Sequence, residues 1–263
     1  MGSATRGALA HSVQALNAQA KVDITAGEQL FAAALVVDGS QQLAAAIADD
    51  TAEASNRKSI VDAVFAGYGP VARAVLETIS TERWSNEADV ISGIEELGIR
   101  AMATSAPKSV SIEDELFAFS RAVASDPELE LALGSKLGMI DGKVSIIHAL
   151  LDGKASKQTV AILEALIVRP QGRRIGELIR FATAVVADQA NLAVATVTVA
   201  QPLTAAQLTR LTAALTAQYG RDIRMQQVID PSIVGGIRVQ VGDDVTDGSV
   251  ARRLADLRLR LAG

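Results

Sequence analysis

The first two-thirds of the chain carries the same pattern twice. Leu30-Phe31 aligns with Leu116-Phe117, and Leu43 and Ile47 align with Leu129 and Leu133. Arg57-Lys58-Ser-Ile-Val aligns with Gly142-Lys143-Val-Ser-Ile, Leu76-Glu77 with Leu163-Glu164, and Ile91 with Leu178. The offset stays within about one residue of 86, as a duplicated unit requires. A helical bundle of that length buries its own core, so two copies imply two bundles in series. Residues 85–106 are expected to close the first copy and lead into the second.

Local signals in residues 1–190 are helical. Leu9, Val13 and Leu16 recur at i, i+4, i+7 on a first helix. Thr25 with Glu28 reads as a capping box opening a second. Gly69-Pro70 puts proline in a first turn, and Val71, Val75, Leu76 and Ile79 follow at helical spacing. Ser111 with Asp114, then Asp126-Pro127, start two more helices. Arg169-Pro170 closes another, because proline restricts the residue before it.

After Ala190 the period changes. Val194 to Ala200 is rich in β-branched residues and predicts a strand. Thr204 with Gln207 predicts a capping box, and Leu208, Leu211, Leu215 and Tyr219 form the face of the helix it opens. Ile223 to Ile229 predicts a second strand. Ile237, Val239 and Val241 alternate with Arg238 and Gln240 in a half-buried third. Gly235-Gly236 permits the positive φ of a tight connection. Asp247-Gly248-Ser249 is expected to open a last helix with Val250, Leu254, Leu257 and Leu261 inward. The fold class is therefore mainly α with a small α+β C-terminal domain: tandem helical bundles over 1–106 and 107–190, then a β-α-β-β-α domain over 191–263.

Composition removes most chemistry. The 263 residues contain no cysteine, which excludes disulfides, thiolate metal sites and a cysteine nucleophile. Only His11 and His148 are present; His11 sits on a helix without a nearby acidic or serine partner in sequence, and His148 lies among Ile146, Ile147 and Leu150. Neither makes a catalytic triad. Gly138-Met-Ile-Asp-Gly142-Lys143 is one residue short of a phosphate loop, and valine follows where a hydroxyl should hold magnesium. Asp243-Asp244-Val-Thr-Asp247-Gly248 has Val245 and Leu254 where a calcium loop needs carboxylates; a glycine turn with a helix N-cap explains it better. Lys154 is expected in a turn. Glu95-Glu96 are adjacent and cannot share a helix face. Trp84, the sole tryptophan, reads as an anchor at a helix junction. No enzyme activity, cofactor or metal is expected.

Net charge is −5, divided as −7 over residues 1–190 and +2 over 191–263. An acidic majority opposes general nucleic-acid binding. Arg252, Arg253, Arg258 and Arg260 sit near a helix C-terminus, where they suit the macrodipole. The N-terminus has no apolar signal core. The longest uncharged run, between Asp188 and Arg210, contains Pro202, threonines and glutamines and reads as strand, loop and helix start. Any membrane association is expected to come through a partner.

The string from Asp230 to Leu254 resembles the signature of the δ subunit of F-type ATP synthase, whose mitochondrial counterpart is the oligomycin-sensitivity-conferring protein. It holds Asp230, Pro231, Gly235, Gly236, Gly242, Asp247, Gly248 and Ser249 in register over about 25 residues. Ala200-Gln-Pro-Leu203-Thr resembles the approach to that family's C-terminal domain. Ser3-Ala-Thr-Arg-Gly-Ala-Leu9 resembles its first helix, with Gly7 where the family usually has an aromatic. The family usually has one N-terminal bundle; the duplication resembles actinobacterial synthases. There δ can be fused behind a membrane-anchored b-type segment, and with none before Met1 a free-standing δ is the expectation.

The resemblance implies a stator role. The chain would link the catalytic αβ head to the b subunits of the peripheral stalk and resist rotor torque, peripherally on the cytoplasmic face of the bacterial membrane. Its partners would be the N-terminal helices of the α subunits, held by the bundle, and the C-terminal ends of the b subunits, held by the C-terminal domain. In the family the first and fifth bundle helices form the α groove. Here that corresponds to Leu9, Val13 and Leu16 with Val75, Leu76 and Ile79, and in the second copy to Leu163, Leu166 and Ile167. A helical RNA- or protein-binding adaptor is the alternative, disfavoured for RNA by the acidic first 190 residues.

Overall fold

The computed structural model describes residues 2–247 apart from 136, 137, 221, 234, 242 and 243. Residues 1–186 form one compact unit and residues 187–263 a second.

The helices of the first part run α1 (Ser3–Asn17), α2 (Ile24–Asp38), α3 (Gln41–Ala48), α4 (Ala54–Val64), α5 (Pro70–Thr81) and α6 (Glu87–Ser105). They continue α7 (Ile112–Ser125), α8 (Pro127–Gly134), α9 (Ile140–Leu151), α10 (Lys157–Val168) and α11 (Ile175–Gln189). Short polar side chains start most of them. Ser40, Asn86, Ser111 and Ser156 each accept a backbone N–H of the first turn. Asp126 caps α8 with Pro127 in its first turn, and Pro70 opens α5. One expected start is displaced. Thr25 and Glu28 do not form a capping box; α2 begins earlier, capped by Asp23, whose carboxylate accepts from Ala26 N at 3.0 Å. With Asp23 at the N-cap, Thr25 falls inside the first turn, where its backbone is helical and cannot serve as a cap.

One set of helix pairings occurs twice. α1–α5, α2–α3, α2–α5, α3–α4 and α4–α5 are in contact, and α6–α10, α7–α8, α7–α10, α8–α9 and α9–α10 repeat those pairings. α6 thus takes beside α10 the place that α1 takes beside α5. It also packs on α1, α2, α3 and α5. Residues 85–106, expected as a connector, are mostly this one helix, and it serves both cores.

Those cores divide α6 residue by residue. Val90, Ile91, Ile94, Leu97 and Ala101 join a core with Leu16, Leu30, Val37, Ile47 and Phe65. Ile99 and Met102 join another with Leu116, Phe119, Ile147, Ile162 and Leu178. α2 is divided in the same way, Leu30 entering the first core and its neighbour Phe31 the second. Apolar burial at about 1.5–3 kcal/mol per large side chain makes this pair of helices the centre of the unit. Close approach is permitted by glycine: a Cβ on Gly98 would meet Phe31 Cε1 at 2.6 Å, and one on Gly93 would lie within 2.6 Å of the Trp84 ring. Trp84 donates its indole N–H to Ile79 O at 2.9 Å and anchors the α5–α6 junction.

Among the described residues, no single helix is long and apolar enough to cross a membrane. α2 and α3 together have the composition, but they meet at 104° and bury Leu30, Val37 and Ile47 in the core.

The second unit contains β1 (Leu192–Val199), α12 (Ala205–Tyr219), β2 (Asp222–Ile229), β3 (Ile237–Val241) and β4 (Asp244–Asp247). Sheet order is β2-β1-β3-β4, with β1 and β2 parallel and the other pairs antiparallel. A parallel pair needs a crossover, and α12 supplies it. Thr204 and Gln207 form the expected capping box, and Gly220 ends the helix at φ 66°. Ala195, Val197 and Val199 pack with Leu215, Ile223, Val239 and Val241. β4 corrects the reading of Asp243 to Gly248 as a turn and helix cap: Asp244 to Asp247 pair with Val241 to Arg238. The expected last helix, with Val250, Leu254, Leu257 and Leu261, lies outside the described residues, as do Gly242, Gly248 and Ser249.

Candidate functional site

The apolar faces read as a partner groove face one another. On α1, Leu16 is fully buried, and Leu9 and Val13 pack half-buried against the same core. On α5, Val75, Leu76 and Ile79 are all buried. The structure brings these six residues together in the first core. In the second, Leu163, Leu166 and Ile167 of α10 are buried. Leu9 and Val13 are the members that keep solvent exposure.

A polar seam closes α1 against the start of α6. Thr5, itself fully buried, donates its hydroxyl to Asp89 Oδ2 at 2.6 Å and accepts from Ser85 N at 3.1 Å. Midway along α1, His11 Nδ1 lies 3.0 Å from Glu82 Oε2, the acidic partner that sequence spacing did not supply. Arg57, 6% exposed, donates to Glu82 O at 2.9 Å and Thr81 O at 3.3 Å and so caps the C-terminus of α5. None of these pairings has a local signature, since the partners are 24 to 84 residues apart.

Glu95 and Glu96 point to different partners, as adjacent helical residues must. Glu96 holds Arg100 on its own helix at 2.7 Å. Glu95, 2% exposed, accepts from Arg169 Nη1 at 3.1 Å, Gln171 Nε2 at 2.8 Å and Arg173 Nη2 at 2.9 Å. The turn after α10 is shaped for this grip, with Gln171 at φ 51° and Gly172 at φ 76°. Arg169 also pairs with Asp38 at the end of α2, and Arg173 stacks 4.6 Å above the Phe181 ring of α11.

On the surface, Lys58 binds Glu77 at 2.6 Å and Asp62 at 3.2 Å. The Glu77 and Asp62 hydrogen bonds hold the ammonium above its ordinary range, and the Lys58 bond holds Asp62 below. His148 is exposed, bonded to Asp152 at Nδ1 and to Glu164 at Nε2, and these carboxylates raise its pKa. It therefore joins α9 to α10 at the surface.

Lys143 is no phosphate ligand. It lies inside α9 and is 9% exposed, donating to Ser135 O at 2.5 Å. Lys154 sits in a turn. Among the described residues, no group of three or more His, Cys, Asp or Glu side chains converges on a metal position.

In the second unit the motif residues make turns. Asp230 accepts from Ser232 N at 2.9 Å and Ser232 Oγ at 2.6 Å, which lowers its carboxyl pKa. Pro231 follows in the same turn. Gly235 and Gly236 adopt φ 67° and 83°, conformations closed to most other residues. Asp247 pairs in register with Arg238.

Comparison with known proteins adds a second line of observation. Residues 99–261 match the family described as the ATP synthase delta (OSCP) subunit. The ATP synthase subunit delta of Leifsonia xyli is 50% identical over 100% of both chains. That of Acidothermus cellulolyticus is 38% identical over 90% of this chain and 88% of its own, and that of Thermobifida fusca 35% over 91% and 90%. A chain of the Toxoplasma gondii mitochondrial ATP synthase hexamer covers 64% of this one at 23% identity and a TM-score of 0.37, too distant to carry an argument.

Proposed function

The chain belongs to the ATP synthase delta (OSCP) subunit family, and we propose from that premise that it tethers the catalytic head to the peripheral stalk and resists the torque of the rotor. It is a non-catalytic structural subunit of the synthase, peripheral to the membrane complex. The observation that carries the role is likeness to an ATP synthase subunit delta along the whole length of both chains.

The finer assignment concerns partners. N-terminal helices of the α subunits dock on the first bundle, and the C-terminal ends of the b subunits dock on residues 191–263. The bundles, 1–106 and 107–190, are copies of one ancestral unit with α6 common to both. That sharing supports the first copy as the docking one. In the second copy the equivalent of the α1–α5 face is α6–α10, and α2 packs against both of those helices. In the first copy Leu9 and Val13 stay half exposed. An amphipathic helix entering there would widen the α1–α5 seam and cover them.

A head preparation stripped of its delta subunit should take up this chain, and an α N-terminal peptide should bind it. Leu9→Ser with Val13→Ser should weaken the peptide at least about tenfold while b-segment binding stays unchanged, with circular dichroism reporting that the helical bundle stays folded. Peptide binding indifferent to that change would move the grip to the second bundle. No measurable binding to either α or b segments would overturn the stator role itself.

A further inference from the structure

The two copies differ sharply at one place, where α8 ends and α9 begins. α3 and α8 start at Gln41 and Pro127, α4 and α9 at Ala54 and Ile140, so the copies align there at one constant offset. At that offset Leu131, Met139 and Ile140 stand where the first copy has Ala45, Glu53 and Ala54. All three are large, apolar and exposed: Leu131 at 74%, Met139 at 80% and Ile140 at 48%. Glu128, Glu130 and Asp141, also exposed, replace Gln42, Ala44 and Ser55.

Hydrogen bonds tie the end of α8 to the start of α9. Leu131 lies one turn before Ser135, whose N–H it accepts at 2.9 Å. Met139 lies one turn before Lys143, and accepts its N–H at 3.3 Å. The Lys143 ammonium, buried on Ser135 O at 2.5 Å, ties the two turns together. First-turn carboxylates suit the helix dipole, which accounts for Glu128, Glu130 and Asp141 taken alone. The dipole gives no reason for exposing Leu131 and Met139, which lose the free energy of burial where the first copy has alanine and glutamate.

We propose that this acid-rimmed apolar patch is a second docking site, and that it takes a basic amphipathic helix of a partner protein. Apolar side chains at i, i+3 and i+4 would cover Leu131, Met139 and Ile140, with Lys or Arg beside Glu128, Glu130 and Asp141. An anionic membrane surface is disfavoured by the same carboxylates, and a second copy of the patch would meet like charge. The site is separate from the α1–α5 face, so it stands or fails independently of the proposed α contact.

The test uses the full chain and a fluorescent helical peptide of Leu and Lys in that pattern, with a Leu/Glu peptide as its counterpart. The Leu/Lys peptide should bind, weaken as salt rises, and lose at least about tenfold with Leu131→Ser, Met139→Ser and Ile140→Ser combined. Glu128→Gln, Glu130→Gln and Asp141→Asn should flatten the salt dependence. These are exposed positions, and circular dichroism checks that the fold survives. The proposal is overturned by peptide affinity unchanged in the serine variant, by equal binding of the Leu/Glu peptide, by binding of phosphatidylglycerol vesicles through these residues, or by a dimer that the serine variant abolishes.

Discussion

Glu95 and Arg173 meet at 2.9 Å across a sequence separation of 78 residues, with the carboxylate only 3% exposed. Such a pair is weak evidence of net stability, because both ions give up water. Breaking it is another matter. Glu95→Ala leaves Arg169 and Arg173 partly buried without their shared counter-charge, and should cost about 3–5 kcal/mol in urea denaturation. Arg83→Ala, which breaks an exposed pair with Asp50, should cost no more than about 1 kcal/mol. Equal losses for the two would refute the clasp.

His148 gives the chain a pH-dependent element. Its pKa is raised in the folded state by Asp152 and Glu164. The folded state therefore binds the proton more tightly. The contribution is fully present below the unfolded value of about 6.5 and is lost as pH rises through the folded pKa. The melting temperature of wild type should fall relative to His148→Gln across that interval. An NMR titration placing the imidazole at or below its ordinary value contradicts this.

Gly98→Ala forces a methyl against the Phe31 ring, which sits among buried neighbours and cannot swing clear. Overpacking of this kind costs about 1–3 kcal/mol. Phe31→Leu, destabilising alone, should recover part of the loss when combined with Gly98→Ala. A double-mutant cycle with no coupling would mean that the helices part to admit the methyl.

Arg57→Met keeps most of the side-chain volume but removes the donors to Thr81 O and Glu82 O. A charged donor lost from a half-buried helix terminus predicts a loss of about 1.5–3 kcal/mol. Hydrogen exchange should quicken first in the last turn of α5. Protection unchanged there would show that water replaces the guanidinium.

Short-range chemistry is legible in the sequence. Ser111, Asp126, Pro70 and Thr204 act within a turn of themselves, and their helices start where expected. The repeat is legible because packing positions recur even where identity is weak. The central place of α6 is not, because Glu95, Glu96 and Arg100 suggest a solvent face, whereas packing from elements distant in sequence buries all three. β4 escapes a sequence reading because four residues with two aspartates look like a loop until β3 lies beside them. The residues read as a groove are apolar helix faces packed on the cores, and periodicity cannot tell a face awaiting a partner from one already covered by its neighbour.

The duplication proposed for the two bundles would ordinarily leave a way back, since a redundant copy can be deleted. Here the way back is closed. Excising residues 1–86 would take α1, α2, α3 and α5 from α6 and expose Ile94 and Leu97; excising 107–186 would take α10 and uncover Ile99 and Met102. Substitutions along α6 answer to one core or the other, and a shift of the helix disturbs both, so this helix should drift slowly. A lineage that acquires the doubled form is committed to its length.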